Sequence, residues 1–177
     1  ESDILRALDV GASGVIVPHI ETIEDRKRVV SYSKFPPLGK RGFNHYVRCG
    51  GYSKATPEYF DYQNNRVILG LILEGVSALK NLESIIDSPE VDLVYIGAYD
   101  LSVALGFSGD VNHPEVLKEL EKAVKKIIKA KKCAGCMVHS ASDLKKFKDM
   151  GVQFMTYKVD SAIIYDAISQ IRGEFDK

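Results

Sequence analysis

Five short apolar runs, at residues 14–17, 67–73, 93–96, 133–138 and 154–159, are each followed by a stretch with helical periodicity. The runs are continuous rather than alternating, the pattern of strands covered on both faces in a parallel sheet. Regular strand–helix alternation with right-handed crossovers gives an all-parallel α/β architecture. Helices are expected at about residues 2–10, 22–33, 76–86, 114–131 and 161–172. Another is expected between a cap at Ser140 or Ser142 and the stop at Met150-Gly151. Thr56-Pro57-Glu58 offers a capping hydroxyl followed by proline and should start one more. Residues 34–55 carry Pro36, Pro37, Gly39, Gly42, Gly50 and Gly51 and show no period. They read as a long loop, and loops of that length are usually functional or disordered. No second domain, linker or low-complexity segment interrupts the pattern, so residues 1–177 are expected to form a single domain.

Two of the runs end beside a carboxylate. Glu74 follows Leu71-Ile72-Leu73, and Asp100 follows Val94-Tyr95-Ile96-Gly97-Ala98-Tyr99. A carboxylate buried alone is strongly disfavoured, so an acid at the end of a buried strand is paired or coordinates a metal. In α/β sheets ligands gather at the carboxyl ends of parallel strands, where these two acids would converge. Two carboxylates with waters and substrate oxygens form the hard octahedral set preferred by Mg²⁺ or Mn²⁺. The other reading of Glu74 and Asp100 is that of ordinary acids at helix N-termini, which stabilise the positive end of a helix dipole.

Composition excludes several classes of partner. Lysine plus arginine balances aspartate plus glutamate at 24 each, so no basic field recruits nucleic acid or an anionic membrane. The expected partner is a small molecule or another protein. No apolar run approaches the roughly 18 residues of a membrane span, and the first residues carry no basic and apolar leader, which gives a cytoplasmic address. Three cysteines in a chain of this size do not describe a disulfide scaffold.

Other groups are weaker candidates. His19 directly follows Val17-Pro18 at a strand end, where catalytic groups concentrate. His113, beside Pro114, is more readily a surface residue. Cys133-Ala134-Gly135-Cys136 has redox spacing with His139 nearby, but it lies within a buried strand rather than at a helix N-terminus. Buried apolar cysteine is the simpler reading. Arg41, in Gly39-Lys40-Arg41-Gly42, could bind a substrate carboxylate or belong to a solvated glycine-rich turn.

The ordered set Leu8-Asp9-Val10-Gly11-Ala12, Gly14 through Pro18-His19-Ile20-Glu21-Thr22, Phe35-Pro36-Pro37 with Arg41-Gly42, Glu74, Ile96-Gly97-Ala98-Tyr99-Asp100-Leu101-Ser102, Leu105-Gly106 and His113-Pro114-Glu115-Val116 resembles the class II 2-keto-acid aldolases of the hydroxy-heptenedioate and dehydro-deoxyglucarate type. These belong to the phosphoenolpyruvate/pyruvate barrel superfamily. The resemblance runs across nearly the whole chain. It implies a partial TIM (β/α)₈ barrel: about five β/α units stand in this chain, and the first three of the family's eight do not. That agrees with a length of 177 residues against the roughly 250 of a full barrel.

The resemblance further implies cleavage of 4-hydroxy-2-oxo acids to pyruvate and an aldehyde, and assembly into oligomers, usually hexamers. By it Glu74 and Asp100 are the metal ligands, the backbone at Tyr99 and Asp100 seats the pyruvate carboxylate, and Asp9 orients the catalytic histidine. Ile72 occupies a substrate-contacting position where the family commonly has glutamine. The family's catalytic histidine and substrate-gripping arginine fall in the three units outside this chain, so little or no turnover is expected from it alone. Two other readings stay open: a non-catalytic partial barrel completed by another chain or a second copy, and a related CoA-ester lyase.

Overall fold

The apolar runs form β1 (Gly14–Val17), β2 (Ile68–Leu73), β3 (Leu93–Ile96), β4 (Cys133–Val138) and β5 (Phe154–Tyr157). They are hydrogen-bonded in sequence order, every neighbouring pair parallel, into a curled half-barrel. This is a computed structural model, and it describes residues 1–175. Between the strands lie α1 (Ser2–Asp9), α2 (Ile23–Ser33), α3 (Tyr59–Arg66), α4 (Val76–Lys80), α5 (Leu82–Ile86), α6 (Ala98–Ala104), α7 (Pro114–Lys129), α8 (Ala141–Met150) and α9 (Asp160–Phe175). No helix among the described residues is long and apolar enough to cross a membrane.

Successive strand residues point to opposite faces, and the two faces of this sheet meet different surroundings. Leu69, Leu71, Leu73, Val94, Ile96, Ala134, Cys136 and Val138 are buried on the outer face. There they join one core with Ile85, Leu120, Val124 and Ile127 of the helices. Each leucine, isoleucine and valine among them contributes roughly 1.5–3 kcal/mol on burial. The inner, concave face is open: Ile16 and Phe154 are exposed, and Ile68 is 51% exposed. The apolar runs are therefore continuous because one face fills the core and the other lines the concavity.

Several boundaries differ from those read in the sequence, each for a local reason. The expected helix at 76–86 is two helices joined at Asn81, whose side chain donates to the Glu21 carbonyl instead of projecting freely into solvent. Helix α3 starts at Tyr59, so Thr56-Pro57 form a turn ahead of it rather than its cap and first residue. The strand expected to reach residue 159 ends at Tyr157, because Lys158 takes a φ of 43° and α9 follows at once. Of the two candidate serines, Ser140 caps α8 by accepting from the Asp143 amide. Helix α9 has no buried residue, and Ile163, Ile164, Ile168 and Ile171 are exposed along it.

Helix α2 follows β1 through a capping box, in which Thr22 accepts from the Asp25 amide and Asp25 accepts from the Thr22 amide. The Thr22 hydroxyl is the largest influence holding the Asp25 carboxyl down at about 2. A lowered carboxyl contributes stability that is fully present above the ordinary value of 3.8 and is lost as pH falls through about 2. Thr22→Ala is accordingly expected to lower stability by about 1 kcal/mol at neutral pH. Urea unfolding should show that deficit shrinking between pH 4 and pH 2.

Candidate functional site

The carboxyl end of β2 delivers Glu74 to the rim of the half-barrel, and the carboxyl end of β3 runs through Gly97 into α6, whose first turn holds Tyr99 and Asp100. Both acids therefore stand at the strand ends, as their sequence positions predict. Glu74 is partly sheltered, at 14% side-chain exposure, whereas Asp100 is open to solvent. The Glu74 carboxylate lies against Gly97: a Cβ built there would stand 2.7 Å from both Glu74 Oε2 and its Cβ. Only glycine leaves this space, so the carboxylate reaches over the junction that carries Asp100. The sequence marks Gly97 only as the residue between a strand and a helix, and its role as a cradle shows in three dimensions alone.

The other Glu74 oxygen is held by His19. The His19 backbone N–H donates to Oε1 at 3.1 Å, and its Nδ1 lies 2.8 Å from the same atom. His19 has a φ of 59°, a sparsely populated conformation for a residue with a Cβ. In it the amide and the ring converge on one oxygen. The His19 side chain is otherwise 82% exposed. A third acid, Glu21, stands close by: its Oε1 would be 2.7 Å from a Cβ on Gly75.

Ile72 lies below Glu74 on the same strand face, half-buried. Its Cγ2 would be 3.4 Å from a Gly97 Cβ, so it forms an apolar floor under the carboxylate. Tyr99 is half exposed, and its ring meets that of His139 edge-on at 5.4 Å. His139 follows β4 directly, a fourth strand end contributing to the rim. Deeper in the concavity the Tyr95 and Thr156 hydroxyls are 2.6 Å apart and join β3 to β5.

Asp9 stands elsewhere. It ends α1, which leads into the amino-terminal end of β1, so within one chain the sheet separates it from Glu74. Its Oδ1 accepts from Arg41 Nη2 at 3.0 Å. Arg41, 1% exposed, also donates to Cys49 Sγ at 3.2 Å and lies over the Phe35 ring at 4.6 Å. Arg41 is thus committed to the fold at the amino-terminal face, as is most of loop 34–58. His113 caps α7 and stacks on Phe107, with ring centroids 3.6 Å apart. Cys133 and Cys136, three apart in a strand, point to opposite faces. Burial pushes the Cys136 thiol up to about 12 and raises that of Cys133 as well. Among the described residues no cluster of three or more His, Cys, Asp or Glu is arranged to hold a metal. A cation at the rim would rest on the two carboxylates and on oxygens from water or substrate.

Residues 1–167 match the HpcH/HpaI aldolase/citrate lyase family. The hydroxypyruvate/pyruvate aldolase of Cupriavidus necator is 32% identical over 172 residues, which are 97% of this chain and 64% of that protein. The 4-hydroxy-2-oxo-heptane-1,7-dioate aldolase of Shigella flexneri is 29% identical over the same length and the same shares. A crystal structure of an HpcH/HpaI aldolase/citrate lyase family protein from Burkholderia cenocepacia superposes with a TM-score of 0.90 at 26% identity, covering 98% of this chain and 69% of that one. The chain spans a little under two thirds of the length of the curated relatives it matches. With the parallel half-barrel, the strand-end acids and a match over nearly all of its residues, the chain belongs to the HpcH/HpaI aldolase/citrate lyase family.

Proposed function

We propose that this chain forms the metal-binding side of a cytoplasmic class II aldolase that cleaves 4-hydroxy-2-oxo acids to pyruvate and an aldehyde. The observation that carries this reading is the cradle at Gly97, which lets the Glu74 carboxylate reach over the strand-to-helix junction bearing Asp100. Two acids from adjacent strand ends fit Mg²⁺ or Mn²⁺, which take oxygen ligands and keep several waters. When bound, such a cation polarises the 2-oxo group and stabilises the negative charge that develops as the carbon–carbon bond breaks.

The chain's own residues supply the setting. His19 fixes Glu74 through Oε1 and leaves Oε2 directed at the junction. Ile72, where the family commonly has glutamine, offers the substrate an apolar surface and no hydrogen bond. The amides at Tyr99 and Asp100, in the first turn of α6, are placed to receive the pyruvate carboxylate. A base must take the proton of the C4 hydroxyl, and the resemblance assigns that step to a histidine outside these 177 residues. Asp9, at the far end of the sheet, would orient that histidine only from a neighbouring copy.

Assembly is part of the reading. The open concave face, with Ile16, Ile68 and Phe154 exposed, and the unpaired edges of β1 and β5 favour completion by further β/α units or a second copy. The test is thermal unfolding with Mn²⁺ and pyruvate together. A rise of several degrees over the metal-free protein is expected, and no rise at millimolar concentrations would sink the proposal.

A further inference from the structure

At the amino-terminal end of β1, opposite the rim that carries Glu74, lies a cavity of about 250 Å³. Its charged lining is Arg48 and Arg66, its polar lining includes Gln63 and Ser13, and no carboxylate lines it. Neither arginine has an ion pair with an acid among the described residues. Both arginines are exposed residues, and they bring two positive charges to one cavity that no carboxylate lines.

The surroundings hold this arrangement in place. Arg48 crosses Gly11 so closely that a Cβ there would lie 3.2 Å from Arg48 Cδ, and Gly11 itself has a φ of 98°. The positive φ favours glycine there, and the bare Cα leaves room for the Arg48 side chain to lie across it. Arg66 is steadied by Tyr62: its Nη1 donates to the phenol oxygen, and the guanidinium lies 5.6 Å from the ring centroid.

The C-terminus of α1 also meets this cavity and would ordinarily repel an anion. Here its last carbonyls are taken by backbone amides. Val10 donates to Arg6, Gly11 to Leu8, Ala12 to Ala7 and Cys49 to Asp9. Asp9, at the end of α1, is neutralised by Arg41, and Glu58 lines the adjoining cavity rather than this one. What remains facing the cavity is positive.

We propose that this cavity is a binding site for a phosphate dianion, either free or carried by a small phosphomonoester. Arginine forks donate two parallel hydrogen bonds to such an oxyanion, and an anion between two of them relieves their mutual repulsion. The cavity holds about eight water volumes at roughly 30 Å³ each, enough for the anion with part of its hydration. A second cavity of about 380 Å³ shares Cys49, Gln63 and Arg66 with the first, so an organic substituent has room beside the phosphate.

The test is calorimetric titration of the metal-free chain in chloride buffer at constant ionic strength, with inorganic phosphate in one arm and glycerol phosphate in the other. One saturable site is expected in at least one arm, and the stronger arm identifies the form of phosphate that the site takes. Binding should be at least about tenfold weaker in Arg48→Gln and in Arg66→Gln, the loss of a charge-assisted hydrogen bond. It should be unchanged in Lys129→Gln, which lines a different cavity. Arg66→Lys, which keeps the charge and loses the fork, serves if a glutamine variant does not fold, and should also weaken binding. The proposal is overturned if neither arm saturates, or if the arginine variants bind as tightly as the parent.

Discussion

Glu74→Gln is expected to abolish the rise in melting temperature produced by Mn²⁺ with pyruvate, and to weaken Mn²⁺ binding by more than about 100-fold. Groups that merely support a metal ligand are typically worth 10–100-fold in affinity, so loss of a ligand's charge should exceed that range. Glutamine fills the same volume and keeps an oxygen that can accept from the His19 amide, the bond now made at 3.1 Å. The metal-free variant should therefore melt within a few degrees of the parent, which separates loss of the site from loss of the fold. A titration followed by the Mn²⁺ resonance signal is the measurement. A dissociation constant within about threefold of the parent's would show that Glu74 is an acid at a helix start and not a ligand.

The second large effect belongs to the other end of the sheet. Arg41→Met should destabilise the chain by about 3–5 kcal/mol, the range for removing one partner of a buried ion pair. The guanidinium is 1% exposed and serves Asp9, Cys49 and the face of Phe35 at once. Without it the Asp9 carboxylate, also sheltered, has lost its counter-charge, and Cys49, which accepts from the Tyr59 phenol as well, loses its other donor. Burial, reinforced by Cys49, already pushes that phenol up, and losing the positive charge of Arg41 pushes it further, so it stays neutral beside the unpaired Asp9. Urea unfolding of Arg41→Met, Asp9→Asn and the double variant would measure the coupling. Additive losses, or a loss below about 1 kcal/mol for Arg41→Met, would remove the pair from the account of stability.

These two positions also show what the sequence could and could not convey. The strands were legible because a sheet filled on one face and lining a concavity on the other leaves continuous apolar runs. Glu74 and Asp100 were legible because an acid that ends such a run stands out. The grip of His19 on Glu74 was not, since it joins residues 55 positions apart and depends on one residue's left-handed conformation. Arg41 read more readily as part of a solvated turn than as a substrate ligand, and it is neither solvated nor at the rim. Nothing local shows that its loop folds beneath the sheet, where Asp9 and Cys49 claim it. The break at Asn81 was hidden for a similar reason, because the contact with the Glu21 carbonyl crosses 60 residues. Cys133 and Cys136 read as cysteines of a strand, and the structure sets them in β4.

The bare surface of α9 has a thermodynamic consequence. An isolated helix of 16 residues is marginal in water, and helices in proteins owe most of their stability to a packed face. Helix α9 buries none of its residues, whereas β2 and β3 sit at the centre of the core. In an isolated chain the opening of α9 therefore needs far less free energy than global unfolding, and its amides exchange with solvent long before those of β2 and β3. The molecule is expected to behave as two cooperative units of unequal depth, a firm five-stranded body and a terminal helix that opens independently of it.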